Sequence, residues 1–223
     1  MKTLKPFSIG SEIILEPSDI VDNIIILRDQ TVTFDPDENT KNNADIDHFV
    51  SRNDYSWRVQ NRNVNLETAQ ENDFAGKKGE MFAHKYFSET LGLVTNVKPD
   101  LEIYPASQKS WAPDLPYSQD TTFPDCHSKT CTRKYYNEFS WIFETKDMLF
   151  HDPKHALDLV VFVHIDEHAI RGPTGTIKLL MFWDNVFPIL GLPFKRQATK
   201  QALYLETVEY AAAKYSELKQ NVL

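Results

Sequence analysis

The stretch Leu159 to Ile165 is a near-continuous run of large apolar residues, and it limits the possible folds more than any other part of the chain. A strand with one wet face alternates apolar and polar residues, so this run predicts a strand that is covered on both faces. The apolar segment Thr176 to Trp183 follows the turn from Gly172 to Gly175, and we expect it to pair with that strand as a hairpin. The two segments predict the middle of a mixed sheet with layers on both sides.

Two other stretches carry apolar residues at helical spacing. Phe74 to Leu91 predicts a helix with Gly92 as its C-cap, and Ala198 to Gln220 predicts a longer helix with one buried side. Combined with the strands, these helices predict an α/β fold in which a central mixed β-sheet is flanked by helices.

The first third of the chain carries weaker signals. Short apolar runs at Glu12 to Leu15, Ile24 to Leu27 and Thr31 to Phe34 predict strands, and the polar residues 35–73 predict a long loop or short helices. We therefore expect residues 1–75 to form N-terminal strands and a long polar loop packed on a core. Residues 76–223 would form that core and the C-terminal helix.

Composition excludes several classes of protein. The chain has 223 residues, 41% of them hydrophobic, which is enough for one well-buried core. It has no apolar run of about 18 residues, and a proline and acids interrupt its N-terminal segment, so we expect neither a membrane span nor a signal peptide. The two cysteines are too few for a disulfide scaffold and agree with a reducing compartment. We therefore expect a cytoplasmic, intracellular protein with no membrane partner.

Between Trp111 and Asp147 the chain places acids and lysines in a pattern that suits metal-assisted phosphodiester chemistry. Asp114 follows a proline, and Glu144 and Lys146 share one face if Ser140 to Lys146 is a strand. Phosphodiester cleavage needs oxygen ligands for a hard divalent ion and a positive group near the attacking water or the phosphate. Asp114, Glu144 and Lys146 would supply both.

This order resembles the PD-(D/E)xK superfamily of restriction-endonuclease-like nucleases. Glu80 likewise resembles the glutamate that many members carry on the helix before the core sheet. The resemblance covers roughly residues 76 to 165 and implies a restriction-endonuclease-like fold. It also implies Mg²⁺ or Mn²⁺ as cofactor, with Asp114 and Glu144 on the metal and Glu80 acting through a metal-bound water.

A second segment competes for the acid-x-Lys element. Alternation along Phe123 to Cys131 would place three side chains on one face, a short hairpin-like distance from Asp114, namely Asp125, His127 and Lys129. Histidine stands here where the family carries an acid, and Asp125 would compensate as a third metal ligand.

The sequence therefore does not decide which of two lysines, Lys129 or Lys146, activates the water. If the segments 121–130 and 139–147 pair as antiparallel neighbours, both sets of side chains would line one site.

The net charge of −8 argues against nucleic-acid binding by the field of the whole protein. Clustered bases would instead form a local rim around the acidic centre. The residues predicted to contact phosphates are Arg133, Lys134, Lys195, Arg196 and Lys200.

We expect a magnesium-dependent deoxyribonuclease, an endonuclease that hydrolyses phosphodiester bonds in DNA. The sequence leaves open whether RNA is also a substrate and whether the protein is a homodimer. The alternative is a non-catalytic nuclease-like module that binds nucleic acid or a protein partner. A further rival is a zinc-stabilised structural protein that uses Cys126, His127, Cys131, His151 and His155. The spacing of the cysteines lacks the usual Cys-x2-4-Cys pair, and Pro153 argues against both later histidines projecting from one helix.

Overall fold

A computed structural model describes residues 20–21, 24–62, 64–90, 99–103, 114–115, 125–135, 138–191 and 199–209. The helices are α1 (Pro36–Arg52), α2 (Ser56–Arg62), α3 (Leu66–Lys85) and α4 (Trp183–Val186). The strands are β1 (Ile20–Val21), β2 (Ile24–Thr33), β3 (Cys126–Cys131), β4 (Lys134–Tyr135), β5 (Glu138–Glu144), β6 (Leu159–His164), β7 (Thr174–Phe182) and β8 (Lys200–Tyr204). A π-helical turn at Tyr86–Thr90 follows α3, and 3₁₀ turns occupy Met148–Phe150, Pro153–Leu157 and Phe187–Ile189. No helix within these ranges has the length and apolar character that a membrane crossing requires.

A mixed sheet in the order β1-β2-β7-β6-β3 forms the centre of the fold. Only β3 and β6 are parallel, and the other neighbours are antiparallel. The prediction of a doubly covered strand is confirmed, because Val160 and Phe162 enter one apolar cluster while Val161 and Val163 enter the other. The predicted hairpin with the following strand is confirmed as the pair β6 and β7. The chain is thus α/β, with a mixed sheet flanked by helices.

Residues 35–73, for which a long loop or short helices were predicted, are mostly helical: the long loop was wrong, α2 is a short helix, and α1 is longer than expected. The side chain of Asp35 accepts a hydrogen bond from the backbone N–H of Glu38 at 2.8 Å, and Pro36 opens the helix. Ile46, Phe49 and Val50 are buried at helical spacing. These three apolar residues pack on the core, and the remaining residues of the helix are mostly polar and are exposed or half-buried.

Helix α3 begins at Leu66, earlier than the predicted start at Phe74, because the side chain of Asn65 caps it by accepting from Thr68 N at 2.7 Å. The helix runs across the expected division between residues 75 and 76. Its Lys78 is fully buried, and the ammonium contacts the side-chain oxygens of Asn39 and Asn43. This lysine therefore ties α3 to α1.

A second, three-stranded sheet in the order β4-β5-β8 covers the face of the central sheet that is opposite to α3. The indole N–H of Trp141 on β5 donates to the backbone oxygen of Val163 at 3.1 Å and joins the two sheets. The antiparallel pairing of segments 121–130 and 139–147, which would have brought both acid–lysine sets to one site, does not form: β3 pairs with β6, and β5 pairs with β4 and β8. β6 occupies one edge of β3, and Leu115 bridges Cys126 on β3. The hydrogen-bonded neighbours of β3 are therefore β6 and Leu115, and β5 does not pair with it.

The predicted C-terminal helix from Ala198 begins later than expected. Residues 200–204 form β8, whose Lys200 lies opposite Glu144 on β5, and residues 205–209 are helical. The predicted strand at Glu12 to Leu15, the C-cap Gly92 and the rest of the C-terminal helix lie outside the described residues.

Two close backbone approaches fix α3 on the sheet. A Cβ at Gly79 would lie 1.7 Å from Thr130 Oγ1 on β3, and one at Gly175 on β7 would lie 2.6 Å from the Phe82 ring on α3. Neither position tolerates a larger residue without a shift of the helix or the strand.

Gly76 and Gly79 lie one turn apart on α3 and provide a matched test of this packing. Gly79→Ala should lower the free energy of unfolding by about 1–3 kcal/mol, because the added methyl group overpacks the contact with Thr130. Gly76→Ala has no atom within 4 Å of the new Cβ and should raise stability by up to about 1 kcal/mol through helix propensity. Urea unfolding of both variants measures the difference, and effects of the same sign would contradict the packing described here.

Candidate functional site

A cleft of about 360 Å³ opens between the middle of α3 and the edge strand β3. Its lining combines two carboxylates, one lysine and several hydroxyl groups. The described residues that line it are Asn72, Ala75, Gly76, Glu80, Asp114, Ser128, Lys129, Thr130 and Thr132. Three of the predicted site residues therefore meet here, namely Glu80, Asp114 and Lys129.

Asp114 is held at the edge of β3 by the backbone. Its Oδ2 accepts a hydrogen bond from the N–H of Ser128 at 2.9 Å, and the next residue, Leu115, forms an antiparallel bridge with Cys126. A carboxylate fixed by a backbone donor keeps one position and still has lone pairs free for a further ligand.

Glu80 is buried in the wall of the cleft, with 8% of the residue exposed. Burial and, to a smaller extent, the charge of Asp114 raise the pKa of Glu80 to about 8, while the ammonium of Lys77 opposes the shift. The Lys77 Nζ lies 2.8 Å from Glu80 Oε2. The paired carboxylates therefore favour a bound proton or cation between them.

The two candidate lysines lie in different surroundings. Lys129 lines the cleft, but its ammonium is 3.5 Å from Asp147 Oδ2 and 5.1 Å from the centre of the Phe143 ring. Lys146 exposes 57% of its side chain and lies in a turn after β5, where its Nζ is 3.0 Å from Glu144 Oε2. The expectation that Glu144 and Lys146 share one face of a strand is wrong, because β5 ends at Glu144.

The other predicted acids are not part of the cleft lining. Glu144 lies on the second sheet opposite Lys200, and its carboxylate is paired with Lys146. Asp125 directly precedes β3, and its backbone oxygen accepts from Leu159 N at 2.8 Å. Among the residues described around the cleft, Glu80 and Asp114 are therefore the acidic pair.

The predicted basic rim is only partly described. Arg133 is exposed and its Nε lies 3.2 Å from Glu167 Oε2, Lys134 belongs to β4, and Lys200 belongs to β8. Lys195 and Arg196 lie outside the described residues. The described bases thus come from three separate strands or loops.

Sequence reasoning missed two features of the site. Lys77 carries the charge that faces Glu80, and its only signal was its position one helical turn earlier. Asp158 is buried between two histidines, His127 and His155, and no spacing rule pointed to it. The predicted zinc set also changes, because the described metal-ligand group contains neither Cys126 nor Cys131, which are buried and form no disulfide.

A larger cavity of about 720 Å³ lies between α1, α3 and the turn around residues 167–172. Acidic side chains of α1, α3 and this turn line it, namely Asp47, Glu67, Glu71 and Glu167. Arg171 makes two hydrogen bonds of 2.8 Å with Asp47 there. The Asp47 and Glu167 carboxylates there are paired with the exposed side chains of Arg171 and His168. The smaller cleft instead contains a buried carboxylate with a raised pKa, so it carries more of the chemistry.

Replacing Glu80 with glutamine should change how stability depends on pH. The folded pKa of Glu80 is about 8, above its ordinary value of 4.5, so the acid stabilises the fold below about pH 4.5 and this contribution is lost as pH rises to about 8. The free energy of unfolding of the wild type, relative to that of Glu80→Gln, should therefore fall between about pH 4.5 and pH 8. The expected change is a few kcal/mol, at about 1.4 kcal/mol per pKa unit. Urea unfolding in EDTA at several pH values measures it, and parallel curves for the two proteins would contradict the shifted pKa.

Comparisons with family models, with curated proteins and with solved structures each found no match to this chain. The resemblance to the PD-(D/E)xK superfamily accordingly remains a prediction from the order of its motifs. The candidate function is argued below from the chain's own geometry.

Proposed function

We propose that the protein is a metal-dependent endonuclease with a restriction-endonuclease-like core that hydrolyses phosphodiester bonds in DNA. The observation that carries this proposal is the cleft that both Glu80 on α3 and Asp114 beside β3 line, with the charge of Asp114 contributing to the raised pKa of Glu80. A buried glutamate with a strongly raised pKa next to a second carboxylate is costly for a fold and is typical of functional sites.

The order of elements around the cleft supports the same proposal. A helix with a glutamate, α3, is followed by the short segment with Asp114, then by β3 with Lys129, and then by the buried strand β6. This is the order in which the superfamily motifs are expected, now with contacts between them. The segment with Asp114 lies antiparallel to β3, and β3 lies parallel to β6.

The donor set fits a hard divalent cation. Glu80 and Asp114 offer carboxylate oxygens, and the raised pKa of Glu80 comes partly from the charge of Asp114. In the proposal these two residues hold Mg²⁺ or Mn²⁺. When bound, such an ion lowers the pKa of water and offsets the charge that develops on the phosphate.

The chain's own residues perform the remaining tasks. The Ser128 N–H keeps Asp114 in place, and the Lys77 ammonium balances part of the charge of Glu80. Lys129 lines the cleft, but its ammonium lies on the other side of β3, beside Asp147 and the Phe143 ring. We assign it to the phosphate and the attacking water, a role that requires its side chain to turn toward the cleft. Its contact with Asp147 is long, at 3.5 Å, so an entering phosphate competes with that carboxylate for the ammonium.

A second candidate function rests on the acidic cavity between α1 and α3. Its four acidic side chains and the net charge of −8 favour a basic protein partner over bulk contact with nucleic acid. In that case the nuclease-like sheet would serve as a binding module without catalysis. The two functions differ in their response to magnesium, which the next experiment measures.

Asp114→Asn should abolish Mg²⁺-dependent cleavage of a plasmid while the protein stays folded, because it removes a ligand charge and leaves a side chain of nearly the same shape. The wild type should also show a higher melting temperature in Mg²⁺ than in EDTA, and Asp114→Asn should lose that increase. Asp45→Asn, at an exposed position on α1, is the matched control and should behave as the wild type does. Cleavage by folded Asp114→Asn at the wild-type rate would exclude this centre, and no magnesium response in any protein would favour the binding module.

Lys129→Ala and Lys146→Ala distinguish the two lysines. We expect Lys129→Ala to lower kcat by at least about 100-fold, the scale of losing one group that stabilises the transition state, with a smaller change in KM. Lys146→Ala should stay within about threefold of the wild type, since its exposed pair with Glu144 contributes little. Plasmid cleavage under single-turnover conditions measures both, and the opposite ranking would move the catalytic lysine to the turn after β5.

A further inference from the structure

Three polar side chains converge in the interior beside β3, remote from solvent. The Asp158 Oδ2 lies 2.7 Å from His127 Nε2 and 2.6 Å from His155 Nδ1. The exposed fractions of His127, His155 and Asp158 are 7%, 5% and 4%. Two imidazoles therefore meet the same carboxylate oxygen in a region from which water is largely excluded.

Local structure makes this convergence possible. Asp158 follows the 3₁₀ turn Pro153–Leu157 and lies three residues after His155, a spacing at which side chains nearly eclipse in a 3₁₀ turn. Asp158 also directly precedes β6, and the parallel register of β3 and β6 sets His127 opposite Val160. The cluster thus joins the start of β6 to β3.

Hydrogen bonds alone leave this cluster incomplete. The Nε2 of His155 is buried and has no hydrogen-bond partner among the described residues. A buried carboxylate also needs a compensating positive charge. A positively charged group beside the Asp158 carboxylate, such as a metal ion, would compensate its charge.

We propose that His127, His155 and Asp158 bind one Zn²⁺ ion as a buried centre with three protein ligands. Two imidazole nitrogens and one carboxylate oxygen are ligands that zinc takes, and all the offered ligand atoms lie within 4.8 Å of one another. Tetrahedral bonds of about 2.0–2.2 Å place ligand atoms roughly 3.3 Å apart. The two contacts with the carboxylate, 2.6 and 2.7 Å, would lengthen by about 0.6 Å, and the two nitrogens, which lie within 4.8 Å of each other, would approach to the same separation.

This centre is distinct from the cleft that holds Glu80 and Asp114. Along β3 the side chains alternate, so His127 and Lys129 point away from the face that carries Ser128 and Thr130 against α3. The ligand types also separate the two sites, since imidazole favours zinc over magnesium and the cleft offers oxygen ligands. The zinc proposal consequently stands or falls apart from the nuclease proposal.

The first test uses the wild-type protein and needs no variant. Protein dialysed against a chelator, then exposed to Zn²⁺ in excess Mg²⁺ and passed over a desalting column, should retain about one zinc per chain by elemental analysis. Co²⁺ in its place should give absorption bands typical of nitrogen and oxygen ligands in tetrahedral geometry. Retention of no zinc would overturn the proposal, and so would an intense thiolate band, which would assign the ion to the cysteines.

Variants then locate the site. Asp158→Asn keeps the size of the side chain and should raise the Kd for Zn²⁺ at least about 100-fold, more than the loss of an outer-shell partner. The melting-temperature increase that Zn²⁺ produces in the wild type should disappear in parallel. His168→Gln, whose side chain is 88% exposed, is the matched control and should keep both properties. His127→Gln replaces Asp158→Asn if the latter does not fold, and wild-type zinc affinity in either variant would exclude these ligands.

The same measurements keep the two proposals apart. Asp114→Asn should bind Zn²⁺ as the wild type does, because Asp114 lies on the α3 side of β3. Loss of zinc in Asp114→Asn would place the ion in the cleft and overturn the separate centre. Plasmid cleavage plays no part in this test, so a failed nuclease proposal leaves the result interpretable.

Discussion

The packing of α3 directly onto the central sheet is the constraint on which the candidate site depends. Gly79 lets the helix backbone reach Thr130 on β3, and Gly175 lets the Phe82 ring reach β7. Because the helix approaches so closely, Glu80, the residue after Gly79, is buried next to the edge where Asp114 is held. A looser helix would leave that carboxylate in water, with an ordinary pKa and no partner.

Strand β3 separates two charged regions with different chemistry. On the α3 side it presents Ser128 to Asp114, and on the other side it presents His127 to Asp158. Both arrangements bury carboxylates, which costs stability unless a cation, a proton or hydrogen bonds compensate. The fold can carry this cost because β6, next to β3, is buried on both faces and contributes apolar contacts to two clusters.

The errors of sequence-based prediction have identifiable physical causes. Helix α1 was missed because only Ile46, Phe49 and Val50 face the core, while the remaining residues follow no apolar period. Strands β3 and β5 do not pair, although they are close in the sequence. A strand forms its hydrogen bonds with whichever segments the fold places beside it, and these can be distant in the chain. Strand β6 and the segment at Leu115 occupy the edges of β3, and no local pattern in residues 121–147 reveals this competition.

The sequence by itself determined the features that depend on local composition. The unbroken apolar run at β6 requires two covering layers, and the helical spacing around Glu80 requires a helix there, because burial and periodicity are encoded residue by residue. Only the tertiary structure decided that Lys129 rather than Lys146 lines the cleft, and that Asp158 lies between His127 and His155. Those outcomes depend on strand register and on which edges remain free, and both are properties of the assembled sheet.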